Sequence, residues 1–155
     1  MSAPDLPLRG GCLCGAVRYE VRGRPFLLTA CHCTNCQKRT GSAYSMNLGV
    51  RREDFVIVAG TPREIEQVSP SGTPTVQLHC DACFARLCSL PSRLPKTASV
   101  RPGTLDDTRW LKPMLHIFAR SALPGAIPAD AASHETAPED FTPYIEAFAQ
   151  YWSRA

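Results

Sequence analysis

Between residues 15 and 22 the chain reads GAVRYEVR, with Val17, Tyr19 and Val21 separated by single polar residues. A period of two marks a strand with one face in a core. Similar short runs recur at Phe26–Ala30, Ala43–Val50, Phe55–Ala59, Glu64–Val68, Thr75–His79, Ala85–Leu90, Ala98–Arg101 and Leu115–Ala119. Breaks rich in Gly, Pro, Ser and Asp separate them, among them GRP, SPSGTP, LPSRLP, RPGTLDD and LPG. Many short strands with such frequent punctuation predict a mainly β domain. Tyr19, Phe55 and Phe118 fit the strand period and are expected to pack the core. The period changes near the end of the chain. Ile145, Phe148, Ala149 and Trp152 follow helical spacing, so a helix is expected over Pro143–Ser153 with Thr142 as its N-cap. The preceding stretch, AIPADAASHETAPED over 126–140, reads as a loop. The helix's apolar stripe is expected to pack on the same domain, with a homodimer contact as its other use.

Length adds little to this picture. The 155 residues suit one domain able to bury about 70% of the surface its unfolded chain exposes. We expect residues 1–125 to form the β domain and 126–155 a proline-rich loop and helix packed on it. No run approaches the roughly 20 apolar residues of a membrane span. MSAPDLPLRGG lacks the basic start and apolar run of a signal peptide, so the expectation is a soluble, cytoplasmic protein without membrane partners.

The eight cysteines change the picture. In a reducing compartment, closely spaced cysteines read as metal ligands before disulfides. They fall as Cys12-Leu-Cys14, Cys31-His-Cys33-Thr-Asn-Cys36, Cys80-Asp-Ala-Cys83 and a single Cys88. Structural zinc takes four ligands, often as two close pairs, which Cys12/Cys14 and Cys80/Cys83 can supply. Cys31, Cys33 and Cys36 then remain as three ligands with a fourth position open, the pattern of a catalytic zinc. Other partitions stay open on spacing alone. Cys88, His32, His79 or His116 can each complete a site, and the pairs can recruit part of the triplet. A Cys₄ iron–sulfur cluster fits the ligand count but neither ferredoxin spacing.

The formal charge of +3 shrinks once metal is considered. Seven thiolates and two zinc ions would together bring three negative charges, leaving a nearly neutral protein. Only Lys38-Arg39 and Arg51-Arg52 are adjacent basic pairs, so the sequence does not favour nucleic acid as a partner.

Taken together, GGCLCGAVRYEV (10–21), CHCTNCQKRTGSA (31–43), FVIVAG (55–60), the SPSG loop (69–72), HCDAC (79–83), RPGTLDD (101–107) and PMLHIFARSALPG (113–125) resemble the glutathione-dependent formaldehyde-activating enzyme family, which also includes centromere protein V. The resemblance implies a tent-like arrangement of small antiparallel sheets carrying two zinc ions per chain. It implies that Cys12, Cys14, Cys80 and Cys83 hold the structural zinc and that Cys31, Cys33 and Cys36 hold the catalytic one. It further implies a carbon–sulfur lyase that joins glutathione to formaldehyde or another small aldehyde, with glutathione as the small thiol partner. The centromere member makes a non-catalytic zinc-stapled module, binding protein or nucleic acid, the alternative. Two positions depart from the family pattern. Phe84 follows the CxxC where the family usually has glycine, so the loop there is expected to bend differently. Gly125 stands where tryptophan commonly follows the proline, which removes an expected pocket wall.

Lys38 and Arg39 can meet the carboxylates of an acidic substrate or form a solvated turn. His32 can shuttle a proton or simply bond a backbone carbonyl beside the metal loop. His116 reads as a satisfied sheet histidine and Cys88 as a buried small hydrophobe. Ser69–Gly72 and Arg101–Asp107 are candidate substrate loops with ordinary turn composition.

Overall fold

In the computed structural model, residues 4–69 and 72–154 are described, so Pro70 and Ser71 of the SPSG loop lie outside the described residues. The chain divides into two compact units, 26–48 with 110–154 and 4–25 with 49–109. Among the described residues it is mainly β, with two α-helices.

In the second unit, β1 (Leu8–Gly11), β2 (Arg18–Val21) and β5 (Phe55–Ala59) form an antiparallel sheet in that order. The alternation seen in the sequence sets its register. Tyr19 and Val21 are fully buried, and the Tyr19 ring meets that of Phe55 at 5.1 Å between centroids. The Tyr19 hydroxyl, which burial would otherwise penalise, bonds Thr104 Oγ1 at 2.7 Å. Four further strands pair as an antiparallel meander: β6 (Arg63–Val68), β7 (Pro74–His79), β8 (Arg86–Pro91) and β9 (Thr97–Val100). The breaks before β7 and before β9 fall at the proline-bearing stretches SPSGTP and LPSRLP, whereas the break between β7 and β8 is the cysteine-bearing turn 80–85. Cys88 is fully buried on β8, as expected of a small hydrophobe.

The first unit is built on β3 (Leu27–Cys31), whose five residues are all buried. A short strand buried throughout is an apolar run, without alternation. Beside it lies β10 (Leu115–Ile117), followed by β11 (Ser133–His134). Both pairings of β10 are parallel, unlike the antiparallel arrangement expected. Parallel neighbours need a long connection, and more than 80 residues separate β3 from β10 in sequence. β11 falls inside the stretch expected to be a loop, because two residues carry no legible period. β4 (Ser45–Arg51) begins in this unit.

Phe118 corrects one expectation. It does not extend the strand as a core residue; β10 ends at Ile117, and Phe118 is half-buried with φ +58°. The terminal helix α2 (Thr142–Arg154) forms as predicted, but Thr142 lies inside it, and its N–H is taken by Asp140 Oδ1 at 2.8 Å. Phe148 is fully buried, Trp152 packs edge-on to Trp110 at 5.3 Å, and Tyr151 donates to the Trp110 carbonyl at 2.5 Å. These contacts dock α2 within its unit. Among the described residues, no helix is long and apolar enough to cross a membrane.

Candidate metal centres

Each unit carries one group of cysteines. In the second unit, the sulfurs of Cys12, Cys14, Cys80 and Cys83 all lie within 4.8 Å of one another. Cys12 and Cys14 follow the end of β1, while Cys80 and Cys83 occupy the turn between β7 and β8. The Sγ atoms of Cys12 and Cys14 are 3.5 Å apart, and those of Cys14 and Cys80 are 3.7 Å apart. A tetrahedral zinc with Zn–S bonds near 2.3 Å sets its sulfurs about 3.8 Å apart, so the spacing and the soft donor set both fit that ion.

Backbone N–H groups point at these sulfurs. Val17 N–H meets Cys12 Sγ at 3.2 Å. The N–H groups of Ala85 and Cys14 hold the Cys83 thiol down to about 6. At Cys14, the Ala16 N–H favours the thiolate, but the neighbouring Cys12 and Cys83 sulfurs outweigh it and push the thiol up to about 11. Crowding that lets one sulfur ionise only at another's expense is relieved by a shared cation.

Phe84 corrects the sequence expectation for this loop. The loop keeps the left-handed bend expected of glycine, with Phe84 itself at φ +60°. Its N–H bonds the Cys80 carbonyl at 3.0 Å, and the Cys80 N–H bonds the Ala85 carbonyl at 2.9 Å. The two bonds close the turn around the thiols and hold Phe84 in a conformation that costs about 1–2 kcal/mol for an L-residue.

In the first unit, Cys31, Cys33 and Cys36 also have their sulfurs within 4.8 Å. Cys31 ends β3. Cys33 is the N-cap of the seven-residue helix α1 (Thr34–Thr40), and its sulfur accepts the Cys36 N–H at 3.4 Å. Cys36 therefore sits in the first turn of the helix. Gly41, at φ +60°, closes it with a left-handed C-cap that donates to the Gln37 carbonyl. The Cys36 sulfur beside Cys31, and then burial, push the Cys31 thiol well above its ordinary value. Three soft donors fit zinc with one coordination position left over.

Among the described residues, no histidine or carboxylate joins either group, and Cys88 belongs to neither. The partitions left open by spacing thus reduce in the structure to four sulfurs and three. The two histidines instead meet each other. His32, fully buried, lies with Nε2 2.9 Å from His116 Nδ1, and the rings stack at 5.2 Å. Tyr44 lies 5.0 Å from His32. Burial lowers the pKa of both imidazoles, so they stay neutral near pH 7. His32 therefore does not spend its ring on a backbone carbonyl.

Gln37 escaped the sequence reading. Its Nε2 donates to the His32 carbonyl at 2.8 Å and to the Ser121 carbonyl at 2.7 Å, tying the thiol loop to the turn after β10. Its place beside Cys36 was the only hint. The His32–His116 pair, 84 positions apart, left no local signal. Lys38 and Arg39 are exposed in the last turn of α1. Arg101–Asp107 and the described part of Ser69–Gly72 belong to the second unit. Gly125 takes φ +76°, a conformation disfavouring a tryptophan.

Comparison with known proteins gives the chain a family. The family of the glutathione-dependent formaldehyde-activating enzyme matches residues 7–121, and the chain belongs to that family. A protein of Halomonas elongata named "Putative glutathione-dependent formaldehyde-activating enzyme" is 30% identical over 104 residues. The match spans 64% of this chain and 66% of that protein, just under two thirds of its length. A crystal structure of a Rhodobacter sphaeroides protein shares the fold with a TM-score of 0.53 at 21% identity, covering 66% of this chain and 91% of that one.

Proposed function

We propose that the protein is a cytoplasmic, zinc-dependent carbon–sulfur lyase acting on a thiol adduct, with glutathione and formaldehyde or another small aldehyde as the joined parts. The observation that carries this reading is the division of seven cysteine sulfurs into a group of four and a group of three. Cys12, Cys14, Cys80 and Cys83 would hold a structural zinc, and Cys31, Cys33 and Cys36 a second one. Zinc bound by three thiolates leaves an exchangeable position suited to keeping a substrate thiol deprotonated. The three thiolates give the site a net negative charge, which disfavours water activation and so argues against a hydrolase.

In the forward direction the thiolate sulfur forms a bond to the carbonyl carbon, the C=O π pair moves to oxygen, and that oxygen takes a proton. In reverse, the hydroxyl gives up its proton, an oxygen pair re-forms the C=O bond, and the C–S bond breaks with its pair returning to sulfur. The chain's own residues prepare this step. The Cys36 N–H steadies charge on Cys33. Gln37 fixes the loop through the His32 and Ser121 carbonyls. The neutral His32–His116 pair adds no charge to the segment that carries the thiols. Lys38 and Arg39 offer cations to the carboxylates of glutathione.

The test is zinc content and thiol-adduct turnover in the wild type and in Cys33→Ser. Wild type is expected to hold two zinc ions per chain and Cys33→Ser about one, with turnover abolished. Unchanged turnover in Cys33→Ser would sink the scheme.

A further inference from the structure

The turn after β10 bears on which aldehyde the adduct contains. Among the described residues, Phe84 and Phe118 are the two non-glycine residues with left-handed backbone. Phe118 is neither fully buried nor fully exposed. Its backbone is held from several sides. Its N–H reaches the Thr136 carbonyl at 3.3 Å, and its carbonyl accepts the Ser121 N–H at 3.1 Å.

The segment is also tied to the thiol loop at both ends. Ile117 pairs with Cys31 in the parallel ladder, and its carbonyl accepts the His32 N–H at 2.9 Å. At the other end, the Ser121 carbonyl accepts from Gln37 at 2.7 Å. Phe118 thus lies in the short stretch between two anchors on the loop that carries Cys31, Cys33 and Cys36. An aromatic residue held in an over-determined strained conformation, beside a candidate reactive centre and without full burial, is the pattern of a functional position.

We propose that Phe118 is the specificity-determining residue of the three-thiol site, an apolar wall for a hydrocarbon substituent on the aldehyde-derived carbon of the adduct. This rests on the reading of that site as one for thiol adducts. The substrate class it selects is an adduct of an aldehyde larger than formaldehyde.

The experiment uses the full chain loaded with zinc and two unreactive probes, S-methylglutathione and S-propylglutathione, measured by calorimetry. Wild type is expected to bind the propyl probe roughly tenfold or more tighter. Phe118→Gly and Phe118→Ala are both expected to bring that ratio close to one while keeping wild-type zinc content. Phe118→Gly should melt above Phe118→Ala, because only glycine relieves the backbone, and this separates a lost wall from a misfolded protein. The proposal is overturned if wild type does not discriminate, if neither probe binds, or if either variant keeps the wild-type ratio. Turnover is read separately with glutathione and formaldehyde, butyraldehyde or benzaldehyde. A Phe118-dependent binding ratio without turnover of any aldehyde would retire the lyase reading and leave the Phe118 assignment standing.

Discussion

Replacing Phe84 by glycine should stabilise the protein, although it removes an aromatic residue next to a candidate metal ligand. Phe84 is 75% exposed, so little apolar burial is lost. Its φ of +60° costs about 1–2 kcal/mol for an L-residue and almost nothing for glycine. Against that gain, glycine enlarges the conformational freedom of the unfolded chain, a penalty of about 0.4–1 kcal/mol. The two terms leave a net stabilisation of about 1 kcal/mol, which for a chain of this size raises the melting temperature by about 2–4 °C. The Phe84 N–H to the Cys80 carbonyl survives the change, so the turn around Cys80 and Cys83 should persist. The assay is thermal and urea unfolding at a fixed free zinc concentration, because bound metal shifts apparent stability by mass action. Phe84→Ala is the control: it removes the ring, keeps the strain and should give no comparable gain. If Phe84→Gly proves no more stable than Phe84→Ala, backbone strain is not what the residue contributes, and the reasoning fails.

Other perturbations probe other parts of the molecule. Gln37→Ala leaves the His32 and Ser121 carbonyls without their shared donor and should lower zinc affinity at the three-thiol site about 10–100-fold, as outer partners of metal ligands commonly do, read by competition with a chromophoric chelator. Cys88 is fully buried and its thiol is pushed up to about 12 by that burial, so in the zinc-loaded native protein it should react with a disulfide reagent only as the chain unfolds. A fast thiol phase that disappears in Cys88→Ala would contradict this. Arg18 forms a two-pronged bond with Asp106 and holds its carboxyl below the usual carboxylate range. The stability this gives is present above about pH 4 and is lost as pH falls through the lowered folded value, so Asp106→Asn should flatten the acid limb. The pair is largely exposed, which limits the effect to about 0.5 kcal/mol.

How much of this was legible in the sequence depended on the range of the interaction. β5 spans Phe55–Ala59 both in the pattern and in the structure, and β6 through β9 lie within a residue or two of their predicted runs, because alternation and turn residues are local signals. β1 was missed, since LRGG has too few side chains to show a period, and β11 is shorter than any period. The parallel pairings of β10 depend on contacts between distant stretches and left no local trace. Cysteine spacing pointed to both candidate sites because short gaps keep several thiols on one turn. The Gln37 and His116 contacts and the left-handed backbone of Phe118 became visible only when β10 came to lie beside β3. Phe84 shows a local preference overridden by its setting, a left-handed position filled by an aromatic residue because two backbone hydrogen bonds and the thiols around it fix the turn.

The two cysteine groups also differ in how they can form. Cys14 and Cys80 are 66 positions apart, so the four-sulfur group assembles only when distant segments of its unit have come together. The triplet spans Cys31 to Cys36 and is set by the end of a buried strand and the cap of a short helix. By loop-closure entropy alone, gathering the first group costs about 2 kcal/mol more than gathering the second. Metal held by the four sulfurs would therefore act chiefly as folding energy, tying β1 to the turn between β7 and β8. Metal held by the triplet would have much less chain to order, and more of its binding energy would remain for a fourth ligand. The same cysteine chemistry thus divides by topology, a distant closure suited to a staple and a local one suited to an exchangeable site.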